Sequence, residues 1–465
     1  MKKTKIICSI GPASNNIETF RKMVDAGMNV ARVNFSHATL EERKTVIDLV
    51  KRVNEEKHYN IGLLFDTKGP EFRNGEVKQG GINLIPGHKI KITKEEVIGD
   101  EEKFSVNHPE AIDSLEIGSI IQLENGLMKI KVVDKKDNYV ECLVLNGGIL
   151  ESKKSLFVPG VKLDIPFISK DDLEDIKYAC ENDGDFLALS FVSSKEDVLD
   201  AKKIIASIGG NIKIIAKIES KTGIDNLEEI LSVSDGVMVA RGDLGEEVSI
   251  TLLPVYQKQI IQKARENGKF CIVATEMLES MKKNSRPTRA EVTDVANAVL
   301  DGTDAVMLSG ETTVGLYPVE TVKYMASIAS DAEVHSAKHF GYQNTIGRTE
   351  CIAKGAVDLT KYVDIKAIVA EAISGYSARM ISNFRPSCPI LACCTTEKVA
   401  RSLALNYGVY TQIVPLMDDT DELIKTVKEK AQNYFNLTQN DKIVITGGLP
   451  SVRLTDFLKI EEINN

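Results

Sequence analysis

The chain has 465 residues, about three times the roughly 150 that one domain uses, so a short peptide-binding module is excluded. Hydrophobic residues make up 43% and charged residues 27%, as in ordinary globular chains, which excludes a disordered scaffold or a fibre. With 58 Lys and Arg against 67 Asp and Glu the formal net charge is -9, which argues against nucleic-acid partners and leaves small anions to local basic clusters.

The N-terminal segment carries an apolar run of only three residues, Ile6, Ile7 and Cys8, too short for a signal sequence. No stretch approaches the roughly 18 consecutive apolar residues of a membrane helix. A cytoplasmic protein without a membrane partner is the expectation. Eight cysteines are scattered, and the closest set, Cys388, Cys393 and Cys394, lacks C-x-x-C spacing and a nearby His, so mostly buried thiols are expected rather than a zinc site.

Short apolar runs that end in polar residues then recur, at 5–10, 29–36, 61–67, 186–192, 213–219, 236–243, 270–275 and 305–309. Their near-continuous apolar character predicts strands buried on both faces of a parallel sheet. Stretches between them, such as 40–56, 171–181, 195–208 and 255–267, repeat apolar positions at three and four and predict the covering helices. Ser169 with Asp172 predicts a capping box, and Gly27, Gly209 and Gly268 stand where helices should stop. Eight such units predict a (β/α)8 TIM barrel, with its active site at the C-terminal ends of the strands.

Between Pro70 and Pro166 the rhythm changes to alternating runs such as 120–123 and 139–145, separated by Gly, Asn and Lys-Lys-Asp turns. This predicts an inserted small β-barrel lid domain at the barrel mouth. Beyond about residue 337 helices at 351–362, 377–383, 398–406 and 421–434 alternate with strands at 367–370, 389–393, 410–414 and 442–446, which predicts a C-terminal α/β open-sheet domain. The expected domains are a discontinuous barrel, 1–70 and 165–337, a lid, 71–164, and a C-terminal unit, 338–465.

Side chains two apart on a strand share a face. Arg32, Asn34 and Ser36 therefore point together, as do Lys217 with Glu219 and Arg241 with Asp243. Cations beside carboxylates at converging strand ends suit phosphoryl transfer, which must neutralise charge while the reactants stay in line. Glu219 and Asp243 are hard oxygen ligands suited to Mg2+; ion pairing at a barrel rim is the plain alternative. Asp66 and Thr67 add oxygen donors beside Asn34 and Ser36, either for a larger cation or as a stabilised turn. His37 reads as a nucleotide contact or a structural residue. Neither G-x-x-x-x-G-K-[ST] nor G-x-G-x-x-G occurs, so any nucleotide site is of another kind.

The strings TKIICSIGPAS, MNVARVNFSH, DTKGPEFR, KIIAKIES, VMVARGDLG, ATEMLESM, SRPTRAEVTDVANAVLDGTDAVMLSGET and GYSARMISNFRP resemble those of pyruvate kinases, in the family's order across all three expected domains. The resemblance implies transfer of the phosphoryl group of phosphoenolpyruvate to ADP, forming pyruvate and ATP. It implies that Arg32 and Lys217 contact the phosphoryl group and that Glu219 and Asp243 bind Mg2+ or Mn2+. Gly242, Asp243 and Thr275 would hold the substrate carboxylate, Thr275 also assisting enolate protonation. Asn34, Ser36, Asp66 and Thr67 match a K+ site, and Glu71 matches potassium-dependent members. Pro12, His37, Arg73 and Lys154 would contact the nucleotide, Ser374, Gly375 and Ser377 open an effector loop or simply cap a helix, and a homotetramer is implied.

The sequence also departs from the family pattern. Glu276 stands where Gln is usual, Ser155 and Phe157 replace a Gly and an Asn near the lid hinge, and the 447–456 loop is short, which counts against activation by a sugar bisphosphate. Two competing readings are a metal-dependent lyase on a similar barrel and a non-catalytic phosphometabolite sensor. The lid and Lys217 oppose the first; retention of Lys217, Glu219 and Asp243 opposes the second.

Overall fold

The computed structural model describes residues 1–57, 59–124, 126–161, 163–335, 347–448 and 454–464. Eight parallel strands, Lys5–Ser9, Val30–Asn34, Gly62–Asp66, Phe186–Leu189, Lys213–Ile218, Gly236–Ala240, Phe270–Ala274 and Ala305–Leu308, close into a barrel in sequential order. The eighth pairs with the first, placing Lys5 level with Ala305. Alternation along each strand divides the apolar residues between two cores. Ile7, Leu64, Phe186, Met238, Phe270 and Ile272 fill the interior, with the Phe186 and Phe270 rings edge to face at 6.1 Å. Ile6, Cys8, Val33, Phe65, Ile214 and Val273 face outward onto the helices, which is why these strands read as unbroken apolar runs.

The covering helices start where the caps predict. Ser169 and Asp172 form the expected capping box at Lys170–Glu181, and two further boxes open Lys195–Ser207 and Arg289–Asp301. Gly209 and Gly268 take φ of 68° and 65° just past helix ends, a conformation open to glycine at little steric cost.

Between the third and fourth barrel strands lies a six-stranded sheet, ordered Leu156–Phe157, Ile120–Leu123, Met128–Lys135, Tyr139–Asn146, Lys89–Thr93 and Lys103–Ser105, with a two-stranded ribbon beside it. Its pairs are antiparallel except Lys89–Thr93 with Lys103–Ser105, and it has its own core of residues such as Ile92, Phe104, Ile130 and Val140.

The C-terminal sheet runs Val409–Ile413, Ile390–Cys394, Ile365–Ala372, Lys442–Gly447 and Phe457–Glu462. The last strand is antiparallel to its neighbour and absent from the sequence reading, because an edge strand with only intermediate and exposed positions carries no apolar pattern. The expected helix at 398–406 is shorter, Glu397–Ser402. The chain turns after it so that Leu405, fully buried, joins the barrel interior from below. The expected boundary at 337/338 and residues 449–453 of the short C-terminal loop lie outside the described residues. Among those described, no helix is long and apolar enough to cross a membrane.

Candidate active site

At the barrel end opposite Leu405 an open cavity of about 400 Å3 is lined by Arg32, Asn34, Ser36, His37, Thr67, Lys217, Glu219 and Asp243. The insert supplies its other wall, including Arg73, Ser155, Leu156 and Phe157. Parallel pairing sets this convergence: Asn34 lies level with Asp66, and Ala188 level with Asp66 on the other side.

Asp66 is the hub. Its Oδ2 accepts from Arg32 Nε at 2.8 Å, and its Oδ1 stands 3.2 Å from the Lys217 ammonium. Arg32 also donates to Ser9 at 2.7 Å. Lys217 donates to Ser190 Oγ at 2.7 Å and pairs with Glu219 Oε1 at 2.9 Å. Burial alone would push the Lys217 ammonium down, but Asp66, Glu219 and Asp243 outweigh it and raise its pKa, so the group stays charged. For Asp66, burial is likewise outweighed, here by Lys217 and Arg32, and the carboxyl titrates below its usual range.

Glu219 is fully buried. Its Oε2 accepts the Phe191 backbone N–H at 2.6 Å, whereas Oε1 has no hydrogen-bond donor and only the ion pair. Burial raises its pKa well above the usual carboxylate range despite the Lys217 ammonium, with Asp243 adding to the rise. A buried carboxylate whose second oxygen accepts no hydrogen bond, with the Asp243 carboxylate on the same cavity, is a donor set that fits a hard divalent cation. Among the described residues no three His, Cys, Asp or Glu side chains form a metal cage; two carboxylates leave the other positions to water and substrate.

Not every expected residue joins the cavity. The sixth strand ends at Ala240, and Arg241–Glu247 is a short helix, so Arg241 and Asp243 do not share a strand face. Arg241 turns away to Asp294 at 2.6 Å and donates to the Thr275 carbonyl at 2.6 Å. That bond braces a turn in which Thr275 and Glu276 both take positive φ, 68° and 54°, a strained backbone for a β-branched residue. Thr275 Oγ1 accepts the Gly242 N–H at 2.9 Å. Arg73 pairs with Glu71 at 2.7 Å and Lys154 with Glu124 at 2.9 Å; Pro12 is exposed. Pro12, Lys154, Gly242 and Thr275 are outside the cavity lining.

Ser374, Gly375 and Ser377 line a separate cavity of about 90 Å3 with Glu371 and Asp418. Gly375, at φ 77°, precedes the helix Tyr376–Asn383, without a side-chain cap, and Ser377 bonds Thr455. Sequence reasoning missed Ser190 and Phe191 in the active cavity. The signal was available, since Ser190 ends a strand run on the face of Ala188 and Phe186.

An eight-stranded barrel that gathers a guanidinium, an ammonium and carboxylates beneath an inserted sheet defines an enzyme of phosphate chemistry. The family model for the pyruvate kinase barrel domain matches residues 1–322, and that for the pyruvate kinase alpha/beta domain matches 350–461. A pyruvate kinase of Staphylococcus haemolyticus is 44% identical over 459 residues, 97% of this chain and 78% of that one. One from Geobacillus stearothermophilus is 42% identical over 476 residues, 100% of this chain and 81% of the relative. A crystal structure of a pyruvate kinase from Cryptosporidium parvum matches with TM-score 0.94 at 36% identity, covering 99% of this chain and 96% of that one. The chain therefore belongs to the pyruvate kinase family and is a phosphotransferase.

Proposed function

We propose that the chain transfers the phosphoryl group of phosphoenolpyruvate to ADP, forming pyruvate and ATP in the last step of glycolysis, in the cytoplasm. The observation that carries the reading is the buried Lys217 ammonium, kept charged between Asp66 and Glu219 at the mouth beside Arg32. Arg32 and Lys217 bind phosphoryl oxygens, and Lys217 gains most as charge moves onto the enol oxygen. Gly242, Asp243 and Thr275 orient the substrate carboxylate, and the Thr275 hydroxyl helps deliver the proton that turns enolate into pyruvate. Glu219 and Asp243 hold Mg2+ or Mn2+, which supplies positive charge to the phosphate and enolate oxygens. Asn34, Ser36, Asp66 and Thr67 hold K+, with Glu71 marking potassium dependence.

The inserted domain, residues 71–164, serves as a lid over the barrel mouth, bringing Arg73 and Lys154 to the nucleotide with Pro12 and His37. Release of Arg73 from Glu71 and of Lys154 from Glu124 accompanies nucleotide binding. The 338–465 unit serves regulation and assembly. Its Ser374, Gly375 and Ser377 loop is a weak phosphate site, since Glu371 and Asp418 share the cavity and repel a dianion. ATP formation from phosphoenolpyruvate and ADP, measured with Mg2+ and K+ together and with each omitted, tests the reading. Activity that needs both is expected; turnover unchanged without K+ removes the potassium role, and no ATP under any condition removes the activity.

A further inference from the structure

A third cavity, of about 290 Å3, lies at the other end of the barrel, between the strand starts and the C-terminal sheet domain. Lys213, Asp235 and Lys269 line it from the barrel side, and Tyr376, Arg379 and Asn406 from the other. Its charges do not balance. Asp235 is already engaged, accepting from Lys213 at 3.0 Å and from the Ile214 N–H at 3.0 Å. Lys269 donates to the Ser234 carbonyl at 2.7 Å, and among the described residues no carboxylate comes within ion-pair distance of it. Arg379 makes one long bond, 3.4 Å, to the Ser374 carbonyl and stands 5.7 Å from the Tyr376 ring centre. Lys269 and Arg379 thus share a sheltered space with the Lys213–Asp235 pair, three cations around one lining carboxylate. Burial lowers the pKa of both, and the attraction of Asp235 does not make up for it.

A second observation points the same way. Asn406, only 3% exposed, presents an Oδ1 with no hydrogen-bond partner on this cavity. An orphaned acceptor in a buried amide calls for a donor such as a hydroxyl. We propose that this cavity binds a small hydroxylated phosphate monoester, its phosphate on Arg379 and Lys269 and a hydroxyl donating to Asn406. Guanidinium plus ammonium matches a phosphate dianion, and the volume fits a few-carbon polyol phosphate rather than a dinucleotide. The site is distinct from the mouth of the barrel, and Lys213 opens the very strand that ends in Lys217 and Ile218.

Glycerol 3-phosphate titrated calorimetrically into the full-length protein tests this, with glycerol and sulfate as comparisons. The expected result is saturable binding of glycerol 3-phosphate, weaker binding of sulfate and none of glycerol. Affinity should survive Lys217→Met, which disables the mouth, and fall at least tenfold in Arg379→Ala and in Asn406→Leu, with unfolding temperatures of the unliganded variants unchanged. Affinity lost in Lys217→Met but kept in Arg379→Ala would assign the binding to the mouth and overturn the proposal, as would no binding at all. If a variant fails to fold, crystals of the unaltered protein soaked in glycerol 3-phosphate decide: phosphate between Arg379 and Lys269 supports the site, and density confined elsewhere overturns it.

Discussion

Lys217 and Glu219 were legible because a cation and an acid two apart, at the end of an apolar run, must share one face. Arg241 and Asp243 follow the same spacing and fail it, because the strand stops at Ala240 and the helix Arg241–Glu247 begins; a strand's last residue is not marked by composition. If Lys217 acts mainly on charge that develops during transfer, Lys217→Met lowers kcat about 10²–10³-fold with little change in the KM for phosphoenolpyruvate. Steady-state kinetics check this, and equal losses in kcat and affinity would contradict it. A second buried lysine works against stability. Lys5 is 3% exposed, lies 4.7 Å from the Tyr410 ring centre, and burial pushes its ammonium down from 10.5 to about 7. Between those pH values the unfolded chain binds more protons than the folded one, so this lysine destabilises most below pH 7 and progressively less as pH rises towards 10. Lys5→Met is therefore expected to raise the urea midpoint most near pH 6, with the gain shrinking by pH 10; a gain independent of pH would contradict the assignment.

The barrel strands were readable as elements since each is apolar on both faces, and the insert stood out by its switch to alternation. The last strand, Phe457–Glu462, was hidden by its exposure, and the helix Glu397–Ser402 was overextended because the apolar Leu403 and Leu405 continue its pattern. Leu405 belongs to the barrel interior instead, a tertiary preference that sequence periodicity does not register. The same helix anchors the C-terminal domain: Arg401 pairs with the fully buried Asp185 at 3.1 Å, and Asp185 also accepts the Leu63 N–H at 2.9 Å. Removing Arg401 leaves the buried Asp185 carboxylate only the Lys398 ammonium, at 3.3 Å, and the Leu63 N–H. Arg401→Ala should destabilise the protein by about 3–5 kcal/mol, read from denaturant unfolding, while Arg401→Ala with Asp185→Asn should recover part of the loss. A single variant as stable as the parent would show that the pair does not hold the helix to the barrel.

The chemistry sits at the end of the barrel walled by the inserted sheet, and the C-terminal unit packs against the other end. Counting eight units and locating the insert predicts the barrel and the sheet at its mouth, whereas the place of the C-terminal unit rests on contacts such as Leu405 in the barrel interior, which no sequence pattern marks. Surface pattern points to assembly. Ile250 and Leu252, in the turn before the helix Leu253–Glu266, Val255 on it and Leu300 on the helix Arg289–Asp301 are exposed apolar residues, and Leu458 and Ile460 are exposed on an edge strand. Two such faces on one chain suit dihedral symmetry. Light scattering is expected to give four chains of 51.1 kDa, and a monomer at micromolar concentration would contradict this. The proposed reaction requires Glu219 and Asp243 to hold a divalent ion beside the phosphate on Arg32 and Lys217. Anomalous diffraction from crystals grown with Mn2+ and phosphoenolpyruvate tests it most directly: one strong peak between those two carboxylates is expected, lost in Glu219→Gln, and manganese bound only elsewhere would contradict the account.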